Sequence, residues 1–155
     1  MRILMKILVI NGPNLNFLGI REKSVYGSQD YEALCQMIED KAQFHGDEVE
    51  IFQSNHEGEI IDTLHLARKS FDGVVINAGA YTHYSYAIRD AIAAIKIPVI
   101  EVHMSNINAR DEFRAKSVIA PVCKGSICGF GKDSYILAVD SLYYLWKAEE
   151  SGEQQ

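Results

Sequence analysis

Gly73-Val74-Val75-Ile76-Asn77-Ala78-Gly79-Ala80-Tyr81-Thr82-His83 is the stretch on which the fold turns. Its Val-Val-Ile run is apolar and β-branched without alternation, as suits a strand covered on both faces in a parallel sheet. The residues after it are abruptly polar. The same succession recurs on either side. Lys6-Ile7-Leu8-Val9-Ile10 leads into Asn11-Gly12-Pro13-Asn14-Leu15-Asn16, and Glu48-Val49-Glu50-Ile51-Phe52 leads into Gln53-Ser54-Asn55-His56-Glu57-Gly58. Val99-Ile100-Glu101-Val102 leads into His103-Met104-Ser105-Asn106. Polar clusters downstream of strands gather at the carboxyl edge of a parallel sheet, where open α/β sheets bind ligands. The chain therefore reads as an enzyme or a small-molecule binder.

Helical periodicity fills the gaps between these strands. Tyr31 to Gln43 carries Leu34, Met37, Ile38 and Ala42 on one stripe, with Asp30 placed to cap it. Glu59 to Lys69 carries Ile60, Ile61, Leu64 and Ala67; Tyr84 to Ile95 follows, and Ser134 to Trp146, with apolar Ile136, Leu137, Val139, Leu142 and Leu145, completes the set. Ser117 to Cys128, interrupted by Pro121 and Gly125, predicts a bent last strand. Alternating strands and helices predict one α/β domain over residues 1–155, a five-stranded parallel sheet with helices on both faces. Residues 1–5 are expected to form an N-terminal extension, and 149–155 a frayed tail. Asn11 to Gln29 has no period and holds Gly19, Arg21, Tyr26 and Gly27. A loop of that length in a compact domain predicts an active-site lid.

The chain has 155 residues and a formal net charge of −6, which argues against nucleic acid or an anionic membrane as partner. No apolar run approaches the roughly 20 residues that span a bilayer, and the start lacks a signal-peptide cleavage site. Cys35, Cys123 and Cys128 are odd in number and widely spaced, which predicts buried structural thiols in a cytoplasmic protein. Gly125-Ser-Ile-Cys-Gly-Phe-Gly-Lys132 has the wrong spacing for a phosphate loop, and Asn11-Gly12-Pro13-Asn14 replaces any dinucleotide fingerprint. His56, Glu57 and His65 lack the spacing of a metal site, so no metal is expected.

Glu101 and His103 stand two apart on a strand and share a face. A carboxylate there fixes the imidazole tautomer and favours its protonated form, making a proton donor. Taken alone, the pair is equally consistent with a structural ion pair. Arg21 and Tyr26 share the expected lid. A tyrosine with its usual pKa of about 10 is phenolate in about one molecule per thousand at neutral pH, and a guanidinium beside it favours the anion. In isolation, both also read as surface residues.

Together these residues carry a specific resemblance. Asn11-Gly-Pro-Asn-Leu-Asn16, Leu18-Gly-Ile-Arg-Glu22, Tyr26-Gly27, Phe52-Gln-Ser-Asn-His-Glu-Gly58, Ile76-Asn-Ala-Gly-Ala-Tyr-Thr-His83 and Glu101-Val-His-Met-Ser-Asn106 closely resemble type II 3-dehydroquinate dehydratases. The likeness runs from about Lys6 to Leu145. Ala78 stands where the family often has Pro, and Met104 and Phe130 where it has Leu; none of these removes a reacting group.

The resemblance implies a flavodoxin-like three-layer sandwich with strand order 2-1-3-4-5. It also implies cofactor-free anti elimination of water from 3-dehydroquinate through an enolate. Tyr26 would be the base, with its pKa lowered by Arg21 and also by Arg110. Asn14 would hold the water at the enolate oxygen, and His103, oriented by Glu101, would protonate the leaving hydroxyl. Asn77, His83 and Arg114 would contact substrate hydroxyls, and Met104 and Ser105 would anchor the carboxylate. Asp90 would reach the site from a neighbouring subunit of a dodecamer, a tetramer of trimers. The same reaction would also serve quinate catabolism as an alternative to aromatic amino acid biosynthesis in the shikimate pathway, and the competing class is a non-catalytic flavodoxin-like binding module. A flavin carrier needs a Ser/Thr/Gly-rich loop after the first strand, and a phospho-acceptor needs acidic residues there; neither is present.

Overall fold

The computed structural model describes residues 4–19 and 30–152. Five strands, β1 (Lys6–Asn11), β2 (Glu48–Gln53), β3 (Gly73–Asn77), β4 (Val99–His103) and β5 (Gly125–Cys128), pair in parallel in the order β2-β1-β3-β4-β5. This is the expected order. The helices α1 (Tyr31–Phe44), α2 (Glu57–Ser70), α3 (Tyr86–Ile95), the short α4 (Glu112–Ala115) and α5 (Asp133–Ser151) join them.

Strand alternation sends successive side chains into two separate cores. Leu8, Ile10, Val74, Ile76 and Val99 pack with Ile60 and Leu64 of α2 and with Ile88, Ile92 and Ile95 of α3. Ile7, Val9, Val75, Ile100 and Val102 pack on the other face with Leu34 and Ile38 of α1 and with Tyr135, Val139 and Leu142 of α5. Asp30 caps α1 by accepting from the Ala33 N–H at 2.9 Å, as predicted.

Several expectations need correction. β5 is only four residues long. Ser117 Oγ accepts from the Ala120 N–H at 3.0 Å, and Ala120–Val122 forms a 3₁₀ turn around Pro121. Val118 and Ile119 thereby enter the α2/α3 core instead of extending the strand. Met5, assigned to the extension, is 1% exposed and belongs to the α1/α5 core. Residues Glu149 to Ser151 are helical, not frayed: Ala148 is buried and Gly152 closes α5 in the left-handed region. The α5 stripe departs from the predicted one at Leu137, while Val139 and Leu142 are buried as expected. Tyr135, Ala138, Val139 and Leu142 are buried, whereas Leu137 is 41% exposed. Cys35, Cys123 and Cys128 are free but only partly buried.

Candidate active site

The carboxyl ends of β1, β3 and β4 open on a cleft of about 680 Å³. Two loops meet there backbone to backbone. The Gly12 N–H donates to the Asn77 carbonyl at 2.7 Å, and a Cβ on Gly12 would lie 2.5 Å from the Ala78 carbonyl oxygen. Gly79, at φ +60°, lies against Pro13, whose carbonyl oxygen an added Cβ would meet at 3.1 Å. Only glycine permits this approach. It sets Asn14 and Asn77 on neighbouring walls of the cleft. Asn14 is left-handed at φ 68°, a conformation asparagine tolerates. Its N–H donates to Asn55 Oδ1 at 3.1 Å, and Asn55 also accepts from Gln53 Nε2 at 3.1 Å. The loop after β2 therefore props the loop after β1.

Glu101 is fully buried on β4, yet satisfied by three donors. His103 Nε2 lies 2.9 Å from Oε2, the Ser117 hydroxyl donates to Oε2 at 2.5 Å, and the Ser126 hydroxyl donates to Oε1 at 2.6 Å. Burial works to raise the Glu101 carboxyl. The hydrogen bonds from His103, Ser117 and Ser126 outweigh it and hold the group below its ordinary range. A carboxylate accepts only, so His103 donates from Nε2. Its Nδ1 is the nitrogen left for the cleft, which His103 lines.

His83 ends the 3₁₀ turn after β3, with Nδ1 2.7 Å from the Lys116 carbonyl. Burial lowers its pKa, and the nearby His103, Arg110 and Arg114 add to that, against the pull of the Lys116 bond. A neutral His83 donating from Nδ1 presents Nε2 as an acceptor. Arg110 Nη2 donates to Ser105 Oγ, and Arg114 lies on α4; both line the cleft with Met104 and Ser105. Two guanidinium groups thus face a polar cavity in a chain of net charge −6. The arrangement suits a small anionic, hydroxylated ligand.

Of the residues expected at the site, the structure gathers Asn14, Asn77, His83, His103, Met104, Ser105, Arg110 and Arg114 around this cleft, with Glu101 behind His103. Asp90 does not join them. It is exposed on α3 and does not line the cleft. Arg21 and Tyr26 lie outside the described residues. Among the described residues, no group of three His, Cys, Asp or Glu side chains could hold a metal ion. Burial, then the Glu101 charge, push the Cys123 thiol up to about 12, which leaves it unreactive.

Sequence reasoning missed Ser117 and Ser126, and it gave Gln53 and Asn55 no role beyond their place in the polar cluster after β2. Ser126 is the β5 register partner of Glu101, a relation that only strand pairing reveals.

Comparison with known proteins agrees with this geometry. A family model described as Dehydroquinase class II matches residues 5–143. The chain is 65% identical over 138 residues to the 3-dehydroquinate dehydratase of Caldicellulosiruptor bescii, an alignment spanning 88% of this chain and 95% of that protein. The crystal structure of a type II dehydroquinase from Butyrivibrio crossotus is 60% identical and superposes with a TM-score of 0.88, covering 90% of this chain and 97% of that one. The type II dehydroquinase of Propionibacterium acnes, at 39% identity, has the same TM-score and covers 93% of this chain and 99% of its own.

Proposed function

The chain belongs to the class II dehydroquinases, and from that premise we propose how its own residues remove water from 3-dehydroquinate. The product is 3-dehydroshikimate, and the reaction is the dehydration step of the shikimate pathway. The observation that carries the mechanism is the Glu101–His103 pair, held by Ser117 and Ser126 at the wall of a cationic cleft.

Tyr26, as phenolate, removes a proton from the carbon next to the ketone, and the C–H electron pair moves onto the carbonyl oxygen. Arg21 keeps Tyr26 ionised, with Arg110 as a second cation nearby. Asn14 holds a water at the enolate oxygen. As the enolate collapses, the C–O bond on the opposite face breaks. His103 gives its Nδ1 proton to the departing hydroxyl, releasing water. Tyr26 is then a neutral phenol and His103 a neutral imidazole, and return of one proton resets both. The substrate ketone acidifies its own neighbouring C–H bond, so the scheme calls on no cofactor.

Asn77, His83 and Arg114 hold the ring hydroxyls. The Met104–Ser105 backbone and the Ser105 hydroxyl anchor the carboxylate, with Arg110 bonded to that hydroxyl. We assign Asp90 to a neighbouring subunit's site in a dodecamer built of trimers. Its exposure on α3, one helical turn from the exposed ring of Tyr86, supports that reading. Among the described residues no helix is long and apolar enough to cross a membrane. The three free thiols suit the cytoplasm.

The test is ultraviolet detection of the conjugated enone formed from 3-dehydroquinate. The protein is assayed untreated, and again after exposure to borohydride with substrate. Turnover that survives borohydride is the expected result. Loss of turnover would require an imine-forming lysine and overturn the scheme, and so would a protein inert from the start.

A further inference from the structure

Asn11 and Asn77 are register partners on adjacent strands, and both point to the α1/α5 face of the sheet. Between their side chains sits the hydroxyl of Tyr135, a fully buried residue in the first turns of α5. That hydroxyl donates its one proton to Asn11 Oδ1 at 2.6 Å. It therefore meets Asn77 as an acceptor, and Asn77 Nδ2 donates to it at 2.9 Å. One link further back Asn11 Nδ2 donates to Tyr31 OH of α1 at 3.1 Å, a hydroxyl that can serve either way, so the sense of the chain is set from the opposite end. At its other end Asn77 Oδ1 accepts from the Gly79 N–H at 3.2 Å.

A primary amide turned by 180° exchanges donor and acceptor with little change of shape. Here both ends of Asn77 are held, so the amide presents one sense only. One Nδ2 proton and one Oδ1 lone pair remain for a ligand in the cleft that Asn77 lines. We infer that Tyr135 is a positioning residue for substrate binding, acting through Asn77: the donor-only Gly79 N–H selects the sense of the amide, and Tyr135 holds its Nδ2 end in place for the substrate hydroxyl. The inference rests on the reading that Asn77 contacts a ring hydroxyl of 3-dehydroquinate.

Steady-state kinetics on Tyr135→Phe, Asn77→Ala and the double variant test it. Tyr135→Phe keeps the ring in place and removes only the hydroxyl. The expected result is a KM higher by about tenfold, the scale of one lost neutral hydrogen bond, with kcat within about threefold of wild type. Asn77→Ala raises KM at least as much, and adding Tyr135→Phe to it changes KM by less than about twofold. A purely structural Tyr135 would cost the same with or without Asn77, and that additivity would overturn the inference. Wild-type KM in Tyr135→Phe, alongside a raised KM in Asn77→Ala, would overturn it while leaving Asn77 as a substrate contact. Wild-type KM in Asn77→Ala would remove both. If Tyr135→Phe does not fold, Asn11→Ala frees the Tyr135 proton to turn toward Asn77. The same dependence on Asn77 is expected there, and additivity is again the refuting result.

Discussion

Replacing Gly12 by Ala places a methyl group where the loops after β1 and β3 touch. The added Cβ would meet the Ala78 carbonyl oxygen at 2.5 Å and its carbonyl carbon at 2.6 Å, both backbone atoms that no rotamer change can move aside. Restoring an ordinary contact of about 3.4 Å requires the loops to part by about 0.9 Å. That displacement strains the 2.7 Å bond from the Gly12 N–H to the Asn77 carbonyl. Forcing extra carbon into a close-packed site costs about 1–3 kcal/mol. For a domain of this size, each kcal/mol lowers the melting point by about 2–4 °C, so Gly12→Ala should melt about 2–12 °C below wild type. The loops carry Asn14 and Asn77, and a misplacement near 1 Å in a site costs on the order of a hundredfold in rate. A kcat/KM lower by about ten- to a hundredfold is therefore expected in folded protein assayed well below the melting point. Gly58→Ala is the control. It lies in the first turn of α2, and a Cβ there meets nothing within 4 Å. It should keep full activity and melt at or slightly above the wild-type temperature. If Gly12→Ala melts and turns over like Gly58→Ala, the contact between the two loops does not hold the cleft together.

Tyr26→Phe and Arg21→Ala should each lower kcat by orders of magnitude while size-exclusion chromatography shows unchanged assembly; near-wild-type turnover in either removes the phenolate step. His103→Ala should still exchange the proton next to the ketone with solvent deuterium while forming almost no product. Loss of that exchange would contradict its role as leaving-group acid. Glu101→Gln keeps the shape but exchanges a charge-assisted bond to His103 for a neutral one, a difference of about 1–2 kcal/mol and hence a kcat about 5- to 30-fold lower; an unchanged kcat refutes the pairing. The same variant tests stability. Because the Glu101 carboxyl is lowered on folding, its contribution is present above the ordinary carboxylate range and lost as pH falls through its folded value. Glu101→Gln should therefore show a shallower acid-side loss of melting temperature, and identical slopes would count against it. His83 is lowered too, so the unfolded chain takes up its proton first and stability falls as pH drops below the ordinary histidine range. Melting curves of His83→Gln between pH 7 and 5 should be flatter than wild type, and parallel curves would show that His83 is solvated like any surface histidine.

The sheet was legible in the sequence because burial on both faces leaves a local mark, an apolar run rich in β-branched residues, at β1, at β3 and, interrupted by Glu101, at β4. The loop residues after those strands were legible for the same reason, since each is polar immediately where the apolar run stops. What escaped depends on relations between distant segments. Ser117 to Cys128 has the composition of a strand, but Pro121 has no N–H to give and Ser117 caps a turn, so only Gly125–Cys128 pairs with β4. The aliphatic pattern of α5 places Leu137 on the inner face with Val139 and Leu142, yet the helix turns Tyr135 inward and leaves Leu137 exposed. A tyrosine outranks a leucine there because its hydroxyl answers two buried asparagines. Left without a partner, each of those amides would carry a desolvation cost of about 1–3 kcal/mol. Asn11 and Asn77 sit at the strand ends because the cleft uses polar groups there, and they are buried because the sheet continues beneath them. A buried amide next to a site must be satisfied from the side away from the ligand, and in this fold that side belongs to α5. The Asn77 that closes β3 thus calls for a hydroxyl 58 residues away. The role of Tyr135 becomes visible only when the strands are in register and the last helix is laid across them.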